Sequence, residues 1–331
     1  MAIYLSPTDL LQMFARGLVT PQECVEAVAG SFREHGNAQV DILPRQIVWA
    51  DEASKKPNSR ALKMGAAYMR ESRIMGANVY ATHFTPGDVQ MWITVFSGVT
   101  GKMLGVIHSK HVSIWKTAAT ATLAARELAR PDARHMALIG TGAYAMEQLT
   151  FMAAHFNLES IRCYSRKTPA LEDFCARASA VLGKPVLPAA SVQAAVASAD
   201  IVTTITTAHT PILQGAWLPE GVHCNVMGQH APQTREVDTE AVVASRIVVD
   251  AMEQSMQEKG ELLIPISEGA IRESDIHAEL GAVVAGRSTG RTERSQRTMF
   301  CSGGTTFEYL GLCHLLIEKA IAAGVGTDLP N

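Results

Sequence analysis

A glycine-rich turn near the middle of the chain has the residue types and the spacing that bind a pyrophosphate. The segment Met136–Ala145 reads MALIGTGAYA, an apolar run of strand length followed by two glycines. Gly140 and Gly142 permit a tight turn and a close backbone approach to the anion, and Ala145 is small enough for helix–strand packing. The helix after the turn would present its N-terminal N–H groups to the same anion. We therefore predict dinucleotide contacts at Gly140, Thr141, Gly142, Ala143, Tyr144 and Ala145.

The next predicted strand ends at Ser165-Arg166-Lys167, a point that distinguishes two cofactors. In sheets that bind NAD, an acidic residue here forms hydrogen bonds to the adenosine ribose hydroxyls. This chain has a hydroxyl and two cations instead, and an arginine forms charge-assisted hydrogen bonds with a 2′-phosphate. The pattern favours NADP(H) over NAD(H); a solvated basic turn is the alternative interpretation. Further cofactor contacts are predicted at Thr206, Met227 and Gly228.

Two cationic side chains have sequence contexts that suit a carboxylate. With Ser113 as the N-cap of a helix, Lys116 lies in the first turn, where a cation opposes the helix dipole by roughly 0.3–1 kcal/mol. A carboxylate bound at the helix N-terminus would offset that cost, whereas a lysine that reaches solvent is the alternative. Arg45 follows Pro44 in an extended segment, and it suits either a bidentate carboxylate contact or a surface ion pair.

His230 and Asn78 are the other polar candidates. Histidine titrates near neutral pH, so His230 is suited to give a proton to an amine nitrogen or a carbonyl oxygen during hydride transfer. The alternative is a histidine held by local backbone in the loop after the fifth strand. Asn78 can orient a polar substrate but cannot transfer a proton at neutral pH.

The composition is that of an ordinary soluble globular protein. The 331 residues include 47% hydrophobic and 18% charged residues and have a net charge of −3, which gives no electrostatic basis for binding nucleic acid or an anionic membrane. The six cysteines are scattered singly, without a CxxC pair or a Cys/His cluster at metal-ligand spacing. We therefore predict reduced thiols and no metal, nucleic-acid or membrane partner. The chain shows neither a signal peptide nor an apolar stretch of membrane-spanning length, which predicts a cytoplasmic location.

Helix-capping signals mark the first elements that must position these residues. A helix is predicted from Ser6, and the capping box Thr20–Glu23 begins a second helix. Three extended segments are predicted next, around residue 45, at 78–82 and at 91–97. An alanine-rich helix is predicted to follow over 113–130. Large apolar side chains are usually core residues, which predicts burial of Met91, Trp92 and Trp115.

From residue 135 onward, strand and helix patterns alternate. Strands are predicted at 136–140, 160–165, 185–189, 201–206, 221–227 and 246–250. Helices that separate the first four strands are predicted at 143–156, 169–183 and 191–199. This alternation is typical of an α/β protein with a doubly wound parallel sheet of the Rossmann type. A final helix is predicted at 306–323 and is expected to pack on the N-terminal half.

Three further segments have the order and spacing of a known family: Leu43-Pro44-Arg45, Lys116-Thr-Ala-Ala-Thr, and VMGQHAP at 226–232. With the glycine turn, they make the chain similar over nearly its whole length to the ornithine cyclodeaminase/mu-crystallin family. That family includes cyclodeaminases, alanine dehydrogenases and imine or ketimine reductases. The resemblance implies a homodimer whose subunit has two domains. Residues 126–304 would bind the dinucleotide, and 1–125 together with 305–331 would form an α+β domain for substrate binding and dimerisation.

The resemblance also implies roles for four residues, three of which differ from the family's pattern. Arg45 keeps the arginine that binds the substrate carboxylate. Lys116 stands at the position of a second arginine, and Asn78 at that of a lysine that approaches the substrate. Lys63 would take the place of that lysine only in a different register. His230 replaces the aspartate of a Gly-Ala-Asp-Ala-Pro turn.

Three hypotheses about function follow. The first is an NAD(P)-dependent oxidoreductase acting on the C–N bond of a small α-amino or α-imino acid. In it, hydride would reach the imine carbon while Arg45 and Lys116 hold the carboxylate and His230 supplies a proton. The second is a cyclodeaminase of the ornithine type, which recycles NAD internally and releases ammonia. The third is a non-catalytic NADP-binding protein of the mu-crystallin type. The loss of the family's lysine and aspartate weighs against an unmodified cyclodeaminase.

Overall fold

The chain divides by its own contacts into two compact units. The first consists of Met1–Lys116 and Gly304–Asn331, and the second of Thr117–Gly303. The computed structural model describes residues 2–50, 60–85, 88–108, 110–228 and 230–330, with the backbone alone at 83–85 and 88. The two units divide after residues 116 and 303, whereas the predicted domains divide after residues 125 and 304. The roles predicted for the two units, substrate binding with dimerisation and dinucleotide binding, stay predictions.

Strands and helices are numbered along the chain. The strands are β1 (Ala2–Leu5), β2 (Val40–Trp49), β3 (Ala61–Met69), β4 (Ile74–Thr85), β5 (Asp88–Ser97), β6 (Met103–His108), β7 (His135–Ile139), β8 (Ser160–Tyr164), β9 (Val186–Pro188), β10 (Ile201–Thr204), β11 (His223–Val226), β12 (Arg246–Val249), β13 (Ile276–Glu279), β14 (Thr298–Cys301) and β15 (Thr327–Leu329). The helices are α1 (Pro7–Ala15), α2 (Pro21–Gly36), α3 (Lys110–Leu128), α4 (Ala145–His155), α5 (Thr168–Leu182), α6 (Val192–Val196), α7 (Thr239–Val243), α8 (Met252–Glu258), α9 (Gly260–Ser267), α10 (Leu280–Val284) and α11 (Thr306–Ala323).

The first unit is a seven-stranded mixed sheet in the order β15-β1-β6-β5-β4-β3-β2. Helix α11 packs on one face of this sheet and also against α2. Gly76 on β4 makes room for the helix, because a Cβ there would lie 2.8 Å from the Leu310 side chain. The bounds of α11 and its packing on the N-terminal half confirm the prediction for this helix.

Both N-terminal helices begin with the capping boxes that the sequence predicts. In α2, the Thr20 hydroxyl accepts a hydrogen bond from the Glu23 N–H at 3.2 Å, and the Glu23 carboxylate accepts one from the Thr20 N–H at 3.0 Å. Each contact satisfies a backbone donor that the helix itself leaves without a partner. Ser6 and Asp9 make the equivalent contacts at the start of α1.

The second unit is an eight-stranded sheet in the order β13-β12-β14-β11-β10-β7-β8-β9, and neighbouring strands in it pair in parallel over the described residues. This arrangement confirms the predicted α/β fold. From β7 the chain builds outward through β8 and β9, then returns to the other side of β7 with β10. The point between β7 and β10 is the switch point at which such sheets bind ligands. Strands β13 and β14 were not predicted, because each has only four residues and neither follows a long helical pattern.

Two local predictions were wrong. Helix α3 begins at Lys110 rather than after Ser113, because the Ser113 hydroxyl is hydrogen-bonded to the Tyr309 hydroxyl at 3.0 Å and is not an N-cap. Lys116 is therefore in the second turn, and the helix-dipole argument for it fails. Met91 and Trp115 are buried as predicted, whereas Trp92 is 42% exposed, because it points to the sheet face opposite α11.

The remaining features predicted from composition concern thiols, membrane spans and metal ligands. The six cysteines are all buried free thiols. Within the described ranges, no helix is both long enough and apolar enough to cross a membrane. Over those same ranges, no three His, Cys, Asp or Glu side chains are grouped as metal ligands.

Candidate functional site

Two cations of the first unit converge on the backbone of Gly304. The Arg45 Nη2 atom donates a hydrogen bond to the Gly304 carbonyl at 2.9 Å. A Cβ at Gly304 would lie 2.8 Å from the Lys116 Nζ atom, and the residue has φ +75°, a conformation that favours glycine. Residues far apart in sequence thus bring a guanidinium and an ammonium to one point.

Lys116 is buried between an acid and an aromatic ring. Its Nζ atom lies 3.5 Å from Glu308 Oε2 and 4.9 Å from the centre of the Tyr309 ring. Glu308 also caps α11, because its Oε1 atom accepts hydrogen bonds from the Thr305 N–H and hydroxyl at 2.6 and 2.9 Å. Burial raises the pKa of Tyr309 to about 12, so its hydroxyl is neutral near pH 7. The α11 N-terminus therefore fixes the position of the lysine.

Asn78 is joined to the same end of α11. Its Oδ1 atom accepts a hydrogen bond from the Thr306 hydroxyl at 2.8 Å. Its partner across the β3–β4 pair is Gly65, where a Cβ would lie 2.4 Å from that hydroxyl. Glycine at this position lets the asparagine and the threonine meet.

Lys63 is on the same sheet face as Asn78. Gly65 pairs with Asn78 and Lys63 with Tyr80, and alternate residues of a strand share a face. Lys63 is half-buried and diagonal to Asn78. The register thus puts Asn78 and Lys63 on one sheet face, and the role predicted for Asn78 stays a prediction.

In the second unit, the predicted turn connects β7 to α4 as expected. Gly140 has φ +108°, and a Cβ on it would lie 2.7 Å from the Ile205 carbonyl oxygen, so only glycine fits. A Cβ on Gly142 would meet nothing within 4 Å, which leaves open space beside the turn. No side chain caps the start of α4 at Tyr144. Open space and helix N–H donors are what a pyrophosphate requires, so these residues fit a dinucleotide.

The remaining predicted cofactor contacts follow three other strands. Ser165, Arg166 and Lys167 come directly after β8, with Ser165 half-buried and the two cations exposed. Thr206 follows β10, while Met227 and Gly228 follow β11. All of them are at the carboxyl edge of the parallel sheet, the edge at which such folds bind ligands.

Glu236 is a further residue at this edge, and no sequence pattern predicted it. It is 0% exposed, and it accepts hydrogen bonds from residues after β10 and after β11. An acidic residue in a loop gives no periodic or motif signal, so only its contacts reveal it.

His230 lies in the loop after β11 and is exposed. It belongs to the second unit, whereas Arg45, Lys116 and Asn78 belong to the first. Of the four predicted catalytic residues, the structure thus groups three around the start of α11.

The second unit has a Rossmann-type sheet and a glycine turn that fits a dinucleotide, features of a nucleotide-binding α/β protein. The first unit brings the Arg45 and Lys116 side chains to Gly304. Residues 13–323 match the model of the ornithine cyclodeaminase/mu-crystallin family. The chain belongs to this family, which confirms the resemblance inferred from its motifs.

Individual relatives resemble the chain over most of its length. Delta(1)-pyrroline-2-carboxylate reductase of Bacillus cereus is 31% identical over 322 residues, which are 95% of this chain and 97% of that protein. Ketimine reductase mu-crystallin of Rattus norvegicus is 31% identical over 239 residues, 72% of this chain and 69% of that protein. The structure of Thermococcus litoralis Delta(1)-pyrroline-2-carboxylate reductase with NADH and L-proline has a TM-score of 0.90 and 29% identity, covering 99% of this chain and 100% of that chain.

Proposed function

We propose that the protein is an NAD(P)-dependent oxidoreductase that acts on the C–N bond of a small α-amino or α-imino acid, in the manner of an imine or ketimine reductase. The observation that carries this proposal is the convergence of Arg45 and Lys116 on Gly304. Relatives named as a pyrroline-2-carboxylate reductase and a ketimine reductase support the same reaction class, and the first of these names specifies a carboxylate on the substrate.

Arg45 and Lys116 bind the substrate carboxylate. The guanidinium offers donors in a fixed planar arrangement, and the ammonium adds a point charge from a buried position. Glu308 holds that ammonium in place at 3.5 Å. The low exposure of Lys116, 3%, reduces the screening of its charge by water, which strengthens its attraction for an anion.

His230 supplies the proton that the nitrogen gains when an imine becomes an amine. Its position in the loop after β11, at the carboxyl edge of the sheet, is on the side where such sheets bind their ligands. Asn78 orients the substrate, and Lys63 on the same sheet face adds a further donor. The bound nicotinamide supplies the hydride for the imine carbon.

The preferred cofactor is NADP(H). Gly140–Ala145 hold the pyrophosphate, with Thr206, Met227 and Gly228 as further contacts. Ser165, Arg166 and Lys167 bind the 2′-phosphate through a hydroxyl and two cations. NADH in the complex of the Thermococcus relative supports a nicotinamide cofactor and makes NAD(H) the alternative.

The first unit also forms a homodimer contact in this proposal. Leu43, Val48, Leu62 and Trp92 are 38% to 58% exposed, and their register puts them on the sheet face opposite α11. A group of exposed apolar side chains on one face is typical of a protein–protein contact. A second copy of this chain is the partner that the family resemblance supports, and light scattering of the purified protein tests it.

A substrate screen tests the proposed reaction. Purified protein is mixed with NADPH or NADH and with cyclic imino acids or a 2-oxo acid plus an amine, and the absorbance of the reduced nicotinamide is followed. We expect steady consumption with an imino acid. Ammonia release from a diamino acid without net cofactor turnover would instead establish a cyclodeaminase. Cofactor binding without turnover of any of these substrates would favour a binding protein.

A further inference from the structure

Glu236 forms four hydrogen bonds that join the loops after β10 and β11. Its Oε1 atom accepts from the Thr206 N–H and hydroxyl at 2.6 and 2.7 Å. Its Oε2 atom accepts from the Thr204 hydroxyl at 2.9 Å and from the Gly228 N–H at 2.8 Å. A carboxylate is the side chain that accepts four such donors at once. One buried group therefore ties together the ends of two neighbouring strands.

Close backbone approaches extend this contact to the glycine turn. A Cβ on Gly228 would lie 2.6 Å from Glu236 Oε1, so only glycine allows the carboxylate this position. A Cβ on Gly140 would lie 2.9 Å from the Thr206 side chain. Thr206 thus packs against the turn after β7 and is also held by Glu236. The loops after β7, β10 and β11 are fixed relative to one another.

A second layer of buried charge supports Glu236. Its N–H donates to Glu261 Oε1 at 3.2 Å, and Glu261 Oε2 lies 3.3 Å from Lys259 Nζ. All three side chains are 0% exposed. Burial opposes the charge of Lys259, but Glu261 and the neighbouring buried acids keep its pKa above the ordinary value. The ammonium offsets part of the negative charge that the two glutamates place inside the unit.

We propose that Glu236 is a positioning residue for the nicotinamide half of the cofactor, an inference that rests on the proposed function. A dinucleotide binds across the switch point, with one half on each side. The residues proposed for the adenosine half follow β7 and β8, whereas Glu236 holds the loops after β10 and β11. It acts through Thr206 and Gly228 and does not itself contact the cofactor.

The test compares a whole cofactor with a fragment that lacks nicotinamide. In Glu236→Gln, the side-chain NH2 faces hydrogen-bond donors and cannot accept from them. We expect the affinity of the full-length protein for NADPH to fall about tenfold or more. Binding of 2′-phospho-ADP-ribose should stay unchanged. If NAD is the preferred cofactor, the affinity for NADH should fall in the same way while that for ADP-ribose stays unchanged. Glu240→Gln, an exposed glutamate of α7, is the matched control and should bind all four ligands as the unchanged protein does.

The outcomes separate this inference from the proposed function. If binding of NADPH and of its fragment weakened equally, Glu236 would serve only to hold the fold, and the inference would be overturned. An unchanged affinity for both ligands would also overturn it. If the unchanged protein bound neither NADPH nor NADH, the proposed function would fail and this inference with it. Thr204→Val removes a single donor without changing side-chain shape. It should fold if Glu236→Gln does not, and should show the same selective loss at about two- to fivefold.

Discussion

Lys116 and Glu308 form a buried ion pair that joins helix α3 to the first turn of α11. The Nζ and Oε2 atoms are 3.5 Å apart, and the two side chains are 3% and 0% exposed. Removal of one partner from such a pair leaves a buried charge without its counterion, which costs about 3–5 kcal/mol. Replacement of both partners by neutral groups costs less.

A double-mutant cycle tests this relationship. We expect Lys116→Met to lower the free energy of unfolding by about 3 kcal/mol, and Lys116→Met with Glu308→Gln to be more stable than Lys116→Met alone. Urea unfolding measures the free energy of unfolding of each variant. Lys102→Met, which replaces an exposed lysine, is the control. Strictly additive losses would contradict a direct interaction between the two side chains.

Arg45→Gln should weaken substrate binding without weakening cofactor binding. The amide keeps some hydrogen-bonding capacity but loses the charge and the planar donor pair, so KM for the imino acid should rise about tenfold or more. The Kd for NADPH should stay the same. Arg70→Gln is a suitable control, because Arg70 is an exposed arginine of the same unit that pairs with Asp41. A parallel rise in the Kd for the cofactor would contradict the assignment of Arg45 to the substrate carboxylate.

Arg166→Gln should discriminate between the two cofactors. A charge-assisted hydrogen bond to the 2′-phosphate is present with NADPH and absent with NADH. Fluorescence titration should therefore show a loss of about tenfold for NADPH and little change for NADH. Arg162→Gln replaces an exposed arginine within β8 and controls for the change in charge. Equal effects on both cofactors would reject the assignment of the 2′-phosphate.

His230→Asn should lower kcat while cofactor affinity is retained. General acid catalysis contributes about 10²- to 10⁴-fold to rate, so the loss should be in that range. The profile of kcat against pH should also lose the limb that corresponds to the histidine. His314→Asn, on α11, is the control. An unaltered pH profile would mean that another group provides the proton.

The burial of His223 leads us to predict that the second unit loses stability in acid. It is fully buried on β11, with ring nitrogens 3.0 Å from the Thr298 hydroxyl and from the Asn225 side-chain oxygen. Burial lowers its pKa from 6.5 to about 3. Between these two values the unfolded chain binds the proton and the folded chain does not. Stability is therefore present above pH 6.5 and is lost as the pH falls.

The free energy of unfolding falls by about 1.4 kcal/mol per pH unit once the pH is below the pKa of the histidine in the unfolded chain. Denaturant unfolding at a series of pH values from 7 to about 4 measures the slope. His223→Gln should show a shallower slope than the unchanged protein, and His209→Gln, an exposed histidine, should show the same slope as the unchanged protein. Identical slopes for all three would assign the acid sensitivity to other groups.

The amino-acid sequence by itself determined the elements that depend on neighbours along the chain. The capping boxes at Ser6 and Thr20, the full extent of α11 and the turn after β7 were all predicted, because the residues responsible lie within a few positions of one another. Regular alternation of strands and helices also predicted the parallel sheet. The start of α3 was missed since Ser113, which resembles a local cap, is hydrogen-bonded to Tyr309 instead.

Only the tertiary structure decided which polar groups meet. Arg45 and Lys116 converge on Gly304, and Glu236 connects the loops after β10 and β11, through contacts between segments far apart in the sequence. Such contacts depend on strand order and helix packing, which set distances that no local pattern encodes. The sequence thus supplied the residue types for the proposed anion and dinucleotide sites, and the fold decided which of those residues lie together.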